Sequence, residues 1–264
     1  MLTPESDDLT PPWPDLLISS GRKAVVPALW VQKQSGGQVK TIHIQNPKAH
    51  HSDFDLILAP QHDNISGNNI LSTAINIHHV TEEKLETEKA LFKARYSSLP
   101  QPRVGVLIGG SSKHHTMTAS IAKTLAKRLK KLATEGYGLM ITASRRTGED
   151  NEAILKEHLD HENIDYWDGS GENPYFGILG WADYLLVTED SVSMVSEAIA
   201  TGQPTYIIEL KGGSKRLDRF HEIIRDKGLA KPFEGELEPW SPPADKSMTE
   251  AVKKVRALLD KPIK

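Results

Sequence analysis

Short strand-like runs alternate with helical stretches along almost all of this 264-residue chain, and this alternation constrains its fold more than any other feature. The first series of strand-like runs consists of Asp15–Ser20, Lys40–Gln45, Phe54–Ala59 and a fourth run within Asn69–His79. The second series consists of Arg103–Ile108, Gly138–Ala143, Ile164–Trp167, Tyr184–Thr188 and Pro204–Leu210. Alternating β and α elements are typical of parallel sheets with helices on both faces. The sequence therefore predicts an α/β protein with two Rossmann-like, doubly wound domains.

A proline-containing linker, Ser97–Pro102, separates the two series. We predict an N-terminal domain over residues 1–98, a second domain over 99–235, and a C-terminal tail over 236–264. A parallel sheet must be covered on both faces, and the first series has fewer strands than the second. The N-terminal domain is therefore expected to lack its first βα unit. In the tail, Ser247 and Glu250 predict a capping box for a last helix.

Composition excludes several classes of protein. The chain has no cysteine, a net charge of −3 and 25% charged residues, so neither a disulfide-stapled fold nor a nucleic-acid partner is expected. No stretch approaches the roughly 18 apolar residues of a membrane span. The first 14 residues lack the basic start and apolar core of a secretory signal. We expect a cytoplasmic protein, with peripheral membrane contact left open.

Glycines, hydroxyls and cations follow the strands of the second series, where the helices begin. Ligands of doubly wound sheets bind beyond the carboxyl ends of the strands, glycines let a phosphate approach the backbone, and guanidinium groups and helix N-termini attract anions. These loops therefore predict a site for an anionic ligand, most simply a diphosphate. The predicted binding residues are Gly109, Gly110, Ser111, Ser144, Arg145, Asp190, Ser191, Ser193, Ser196, Gly213, Ser214 and Lys215.

Glu197 follows Ser191 within the same predicted helix and could accept both hydroxyls of a ribose once phosphates occupy the helix start. Each residue also has an ordinary interpretation. Gly109-Gly110 could be only a tight turn, Asp190 or Ser191 only a helix N-cap, and Arg145-Arg146 only an exposed pair. Glu197 could merely complement the helix dipole.

His62 and Asp63 follow a strand of the first series, in a loop that should open towards a cleft between the domains. His62 with Asp63 could act as a general base, although a polar loop histidine is the simpler interpretation. No metal site is predicted, because adjacent histidines such as His114-His115 point to different sides of an element. The GxGxxG motif of classical dinucleotide sites is absent.

Several segments together resemble the mitochondrial-fission-protein-like family of GT-B-type glycosyltransferases. The resemblance covers about Asp15 to Trp240, and its most specific part is TEDSVSMVSE within Trp181–Leu210. The other segments are GGSSKHH (Gly109–His115), TASRRT (Thr142–Thr147), NPYFGILGWAD (Asn173–Asp183), KGGSKRLDRFHE (Lys211–Glu222) and FEGELEPW (Phe233–Trp240).

The resemblance implies two Rossmann-like domains facing across a cleft, with a nucleotide-sugar donor in the C-terminal domain and a C-terminal helix that returns to the first. Ser191, Ser193 and the helix start would bind the donor diphosphate, and Glu197 the ribose. Gly110, Ser111 and Arg145 would assist. Such enzymes usually need no metal, so no cofactor is expected beyond the nucleotide-sugar substrate. Family members normally begin with a further strand and a glycine-rich turn, which this sequence lacks before Asp15.

We therefore predict transfer of a sugar from a nucleotide-diphospho-sugar to an unknown sugar, lipid or protein acceptor. His62 would be the base if the reaction inverts the sugar, and Arg145 or Lys215 would help the helix start to stabilise the leaving diphosphate. Two alternatives stay open. One is a non-catalytic binding or scaffold protein related to organelle or cell-division machinery, and the other is a sugar-nucleotide epimerase.

Overall fold

The computed structural model describes residues 8–260, which divide into two compact units. The first unit contains the residues up to Ile77 and those from Lys246 onward, and the second contains His78–Asp245. Within the described residues, no helix combines the length and the apolar character that crossing a membrane requires.

Twelve strands and nine α-helices follow one another along the described part of the chain. The strands are β1 (Leu16–Ser20), β2 (Lys40–Ile44), β3 (Leu56–Pro60), β4 (Ile70–Thr73), β5 (Arg103–Ile108), β6 (His115–Thr116), β7 (Gly138–Ala143), β8 (Ile164–Tyr166), β9 (Tyr184–Thr188), β10 (Thr205–Ile208), β11 (Lys211–Gly212) and β12 (Lys231–Pro232). The helices are α1 (Val25–Gln34), α2 (Glu82–Leu91), α3 (Lys93–Tyr96), α4 (Ala119–Thr134), α5 (Glu149–His158), α6 (Tyr175–Trp181), α7 (Val192–Ala200), α8 (Lys215–Asp226) and α9 (Ser247–Leu259).

The sheet of the first unit has four parallel strands in the order β1-β2-β3-β4. Helices cover the two faces of this sheet. Val25 and Ala28 of α1 pack against one face. Ala251 of α9 packs against the other, where Ile42 and Leu56 are buried. Strands of a parallel sheet need apolar cover on both faces, and in this unit the second layer comes from the far end of the chain.

Ser247 does not cap α9 as the sequence predicted. The helix starts at Ser247 itself, and the N-cap residue is Lys246, whose side chain makes no capping hydrogen bond. The Ser247 hydroxyl instead accepts the Ala74 backbone N–H at 3.2 Å. The predicted capping box is therefore wrong, because a backbone donor just beyond β4 takes the oxygen that would have capped the helix.

The sheet of the second unit is a doubly wound parallel sheet of six strands in the order β12-β10-β9-β5-β7-β8. The sequence predicted five of them, and the sixth is the two-residue strand β12. β5 is buried along its whole length, as its run of aliphatic residues predicted. The predicted fold class, two Rossmann-like parallel-sheet units, is confirmed. Strand order reverses between β5 and β9, which are hydrogen-bonded neighbours.

The helices α2 and α3 belong to the second unit, although the sequence placed them in a first domain ending at residue 98. Helix α2 packs on α6: the Trp181 indole N–H donates to the Lys89 carbonyl at 2.8 Å. The absence of a side chain at Gly177 leaves room for the ring of Phe92. A Cβ at position 177 would lie only 2.5 Å from that ring. These contacts place the division between the units at residues 77 and 78, ahead of the predicted linker.

Candidate phosphate and ribose site

The predicted binding loops leave the same edge of the second sheet, because β5, β7, β9 and β10 are parallel. The loops after β5 and β9 emerge side by side, at the point where strand order reverses. A crevice forms at such a switch point because the following helices go to opposite faces of the sheet, and it is the usual ligand site of doubly wound folds.

The carboxylate of Asp190 occupies the space beside Gly109. A Cβ on Gly109 would lie 2.3 Å from Asp190 Oδ1, so only glycine fits there. The Asp190 side chain is fully buried, and its Oδ2 accepts a hydrogen bond from Arg146 Nη2 at 2.8 Å. Its Oδ1 has no hydrogen-bond partner. Gly109 therefore makes room for a side chain of the protein itself.

Backbone and hydroxyl contacts tie the loops after β5 and β7 together. The carbonyl of Gly109 accepts hydrogen bonds from Ser144 Oγ at 3.0 Å and from Thr147 Oγ1 at 2.6 Å. The Ser111 N–H donates to the Arg146 carbonyl at 2.8 Å. Gly110 has a φ of 143° and passes so close to this carbonyl that a Cβ would lie 2.2 Å from its oxygen. The two predicted loops thus form one fixed structure.

Two helices begin at this edge, each with a serine as its N-cap. Ser191 Oγ accepts the Met194 N–H, and Ser214 Oγ accepts the Leu217 N–H, both at 3.4 Å. The first N–H groups of a helix lack partners within the helix, so both helix starts can attract an anion. Ser193 and Lys215 are exposed beside them.

An antiparallel pair of two-residue strands, β6 and β11, joins the loops after β5 and β10. The pairing continues into Gly213, whose N–H donates to the His114 carbonyl at 2.8 Å. Gly213 is thereby held at the start of α8. This pair could not be predicted from the sequence, because two-residue strands carry no periodicity.

Glu197 contacts Tyr175, a residue that sequence reasoning missed. The Tyr175 hydroxyl donates to Glu197 Oε2 at 2.5 Å. Burial, and then the charge of Glu197, raises the pKa of Tyr175, so the phenol stays protonated. Glu197 itself is only partly buried, whereas its neighbour Ser196 is fully buried in the helix packing. Of the two, Glu197 is the residue that a ligand can reach.

Glu189 lies between two histidines that sequence reasoning also missed. His115 Nε2 is 3.6 Å from Glu189 Oε1, and His221 Nε2 is 2.9 Å from the Glu189 carbonyl oxygen. Burial raises the pKa of Glu189 and lowers the pKa of His221. A cavity of about 60 Å³ adjoins Glu189 and His221, and none of the predicted phosphate-binding residues lines it.

His62 and Asp63 lie in the first unit, in a 3-10 turn directly after β3. His62 Nε2 is 4.0 Å from Asp63 Oδ1, and the His62 side chain is fully buried. Asp63 Oδ2 accepts the Asn46 N–H at 3.2 Å. An acceptor hydroxyl could reach the imidazole only after the residues that cover it had moved.

The exposed Arg145 is the arginine that we predicted for phosphate, whereas the structure engages its neighbour Arg146 with Asp190. Sequence cannot choose between adjacent arginines, since the choice depends on which side chain the turn after β7 directs inward. Among residues 8–260, no three acidic or histidine side chains lie close enough together to hold a metal ion.

Comparison with known proteins finds a matching family model along almost the whole chain. The family model described as "Mitochondrial fission ELM1" matches residues 1–259. The Mitochondrial fission protein ELM1 of Arabidopsis thaliana is 27% identical, over 93% of this chain and 64% of that protein. An uncharacterized protein of Rickettsia prowazekii is 29% identical over 74% of this chain and, again, 64% of its own length. The chain thus spans a little under two thirds of these curated relatives.

Among solved structures, the UDP-GlcNAc 2-epimerase of Methanocaldococcus jannaschii in complex with UDP-GlcNAc and UDP is similar, with a TM-score of 0.52. The likeness covers 95% of this chain and 70% of the epimerase, at 14% sequence identity. At that identity the likeness shows the fold alone, which is that of Rossmann-like parallel-sheet units.

Proposed function

The chain belongs to the Mitochondrial fission ELM1 family, and from this premise we propose that it binds a nucleotide-diphospho-sugar and transfers the sugar to an acceptor. One observation carries the proposal. The loops after β5 and β9 leave adjacent strands at the switch point of a doubly wound sheet, and the second of them runs into the N-terminal turn of α7, which Ser191 caps. This is the place where such folds bind phosphates.

Each group at this edge has a role in the proposed reaction. The N–H groups at the start of α7, with Ser191 and Ser193, bind the diphosphate. Lys215 at the start of α8 and the exposed Arg145 neutralise the charge that develops on the leaving diphosphate. Glu197 accepts the ribose hydroxyls. The predicted base for a reaction that inverts the sugar, His62, lies in the first unit and would have to be uncovered before it could act.

Isothermal calorimetry with UDP- and GDP-sugars tests the binding step. We expect the wild-type protein to bind one of them, and the Glu197→Ala variant to bind it at least tenfold more weakly because the ribose loses its acceptor. Glu222→Ala, which removes an exposed glutamate from α8, should bind as the wild type does. Absence of binding to the wild-type protein would contradict the proposal.

A non-catalytic binding or scaffold role is the second candidate, and specific contacts favour it. The space beside Gly109 is taken by Asp190, and the hydroxyls of Ser191 and Ser214 are helix caps. The Arabidopsis relative is named for mitochondrial fission, which agrees with a role in contacting division machinery. Under this hypothesis the wild-type protein would bind no nucleotide sugar. The Glu197→Ala variant would still bind a partner protein as the wild type does.

An epimerase of the same architecture is the third candidate, because the similar Methanocaldococcus enzyme is a UDP-GlcNAc 2-epimerase. The two reactions differ in what they need. An epimerase would change the sugar of UDP-GlcNAc without any acceptor, whereas a transferase would release UDP only as the acceptor is glycosylated. Chromatography of the products formed with and without added acceptors separates the two.

A further inference from the structure

The contact between Tyr175 and Glu197 joins two helices that follow one another along the chain at the predicted site. Tyr175 is the first residue of α6, and Glu197 lies in the second turn of α7. The Tyr175 hydroxyl donates to Glu197 Oε2, and a hydrogen bond to a carboxylate is stronger than one between two neutral groups. Such a bond fixes the carboxylate in one orientation.

We propose that Tyr175 is a positioning residue that holds the Glu197 carboxylate ready for the two hydroxyls of a nucleotide ribose. This inference rests on the proposed function and adds a residue to it. The phenol takes one of the four lone pairs of the carboxylate. Glu197 Oε1 and the second lone pair of Oε2 stay available to a pair of neighbouring hydroxyl donors.

The surroundings of Tyr175 make it suitable for this role. Its backbone N–H donates to Asn173 Oδ1 at 3.0 Å, which fixes the start of α6. Helix α6 is packed tightly on β5, where a Cβ on Gly105 would lie 2.8 Å from the Ile178 side chain. The backbone that carries Tyr175 is therefore fixed by the packing of α6, and its ring makes an edge-on contact with Phe176.

A purely structural bond would not need this arrangement. Glu197 is partly exposed, so water could solvate its charge without help from the phenol of Tyr175. Asp190 shows the opposite case, since its carboxylate is fully buried and needs an ion pair. A hydrogen-bond donor that holds an accessible carboxylate in place preorganises it for a ligand. Less side-chain entropy is then lost when the ligand binds.

Calorimetry with UDP and with 2′,3′-dideoxy-UDP tests the proposal on the wild-type protein and on Tyr175→Phe. We expect Tyr175→Phe to weaken UDP binding about tenfold and to leave binding of the dideoxy nucleotide within about twofold. In the Glu197→Ala background, Tyr175→Phe should have no further effect. Tyr206→Phe is the matched control, because it removes a buried hydroxyl bonded to the Glu238 carbonyl in the sheet core and should alter neither affinity.

The outcomes separate this inference from the proposed function. If the wild-type protein binds neither nucleotide, the proposed function is wrong and the positioning role is wrong with it. If the wild-type protein binds UDP but Tyr175→Phe weakens both nucleotides equally, or neither, the positioning role alone is overturned. Equal weakening would identify the hydrogen bond as structural.

Discussion

At the scale of single residues, the buried carboxylate of Asp190 depends on one arginine that is itself half exposed. The Asp190 side chain has no exposed surface, whereas 45% of the Arg146 side chain is exposed. Removal of one partner from a buried ion pair costs more than the pair contributes, because it leaves a charge without compensation. The loops at the switch point are therefore sensitive to Arg146.

Arg146→Ala should lower the free energy of unfolding by about 1–3 kcal/mol, the cost of a lost hydrogen bond to a charged group. The double variant Arg146→Ala/Asp190→Asn should recover part of this loss, because the asparagine carries no charge that needs compensation. Urea unfolding followed by circular dichroism measures both differences.

The neighbouring Arg145 provides the control for this prediction. It is exposed, so Arg145→Ala should change the free energy of unfolding by no more than about 0.5 kcal/mol. Equal stability of the two single variants would mean that the ion pair contributes nothing to the stability of the loops.

At the scale of elements, apolar runs in the sequence predict the main strands but not the two-residue strands. β5, β7 and β9 are almost fully buried, and their continuous aliphatic runs mark them in the sequence. The pairs β6–β11 and β10–β12 involve two-residue strands that exist only because neighbouring loops meet. Helix caps followed local rules at Thr81 and Ser191. The local rule failed at Ser247, where a distant backbone group intervened.

Helix α9 stabilises the first sheet through a close contact, because Ala251 is only 3% exposed among the buried side chains of β2 and β3. Ala251→Leu should overpack this contact and destabilise the first unit by about 1–3 kcal/mol. Hydrogen exchange of the β2 and β3 amides reports on this unit directly and should become faster.

Val252→Leu is the control for Ala251→Leu, since Val252 is 43% exposed on the same helix. In the Val252→Leu variant, hydrogen exchange of the β2 and β3 amides should be as slow as in the wild type. Unchanged exchange in Ala251→Leu would show that the contact of α9 with the sheet is looser than the burial of Ala251 indicates.

At the scale of the whole molecule, the first unit is discontinuous in sequence and the second is continuous. The first unit needs its C-terminal helix, because α9 covers the face of the sheet that buries Ile42, Leu56 and Leu58. The main core of the second unit contains no residue of α9. The two units should therefore respond differently to the loss of the last helix.

Deletion of the residues from Lys246 onward should destabilise the first unit and leave the second folded. Exposed apolar faces are not stable in water, and uncovering one side of a four-stranded sheet removes half of its core. Limited proteolysis with mass spectrometry should find early cleavage within residues 8–77 and a protected fragment over residues 78–245. Equal protection of both regions would contradict the dependence of the first unit on α9.

The sequence by itself determined the two parallel-sheet units, their main strands and the loops that meet at one sheet edge. These features follow from apolar periodicity and from the helix-start and turn preferences of serine, threonine and glycine, which are local properties of the chain. Only the tertiary structure decided that Asp190 fills the space beside Gly109, that Arg146 rather than Arg145 pairs with it, and that Tyr175 holds Glu197. Each of these contacts joins residues from different strand–helix units, and its geometry depends on how the helices pack on the sheet.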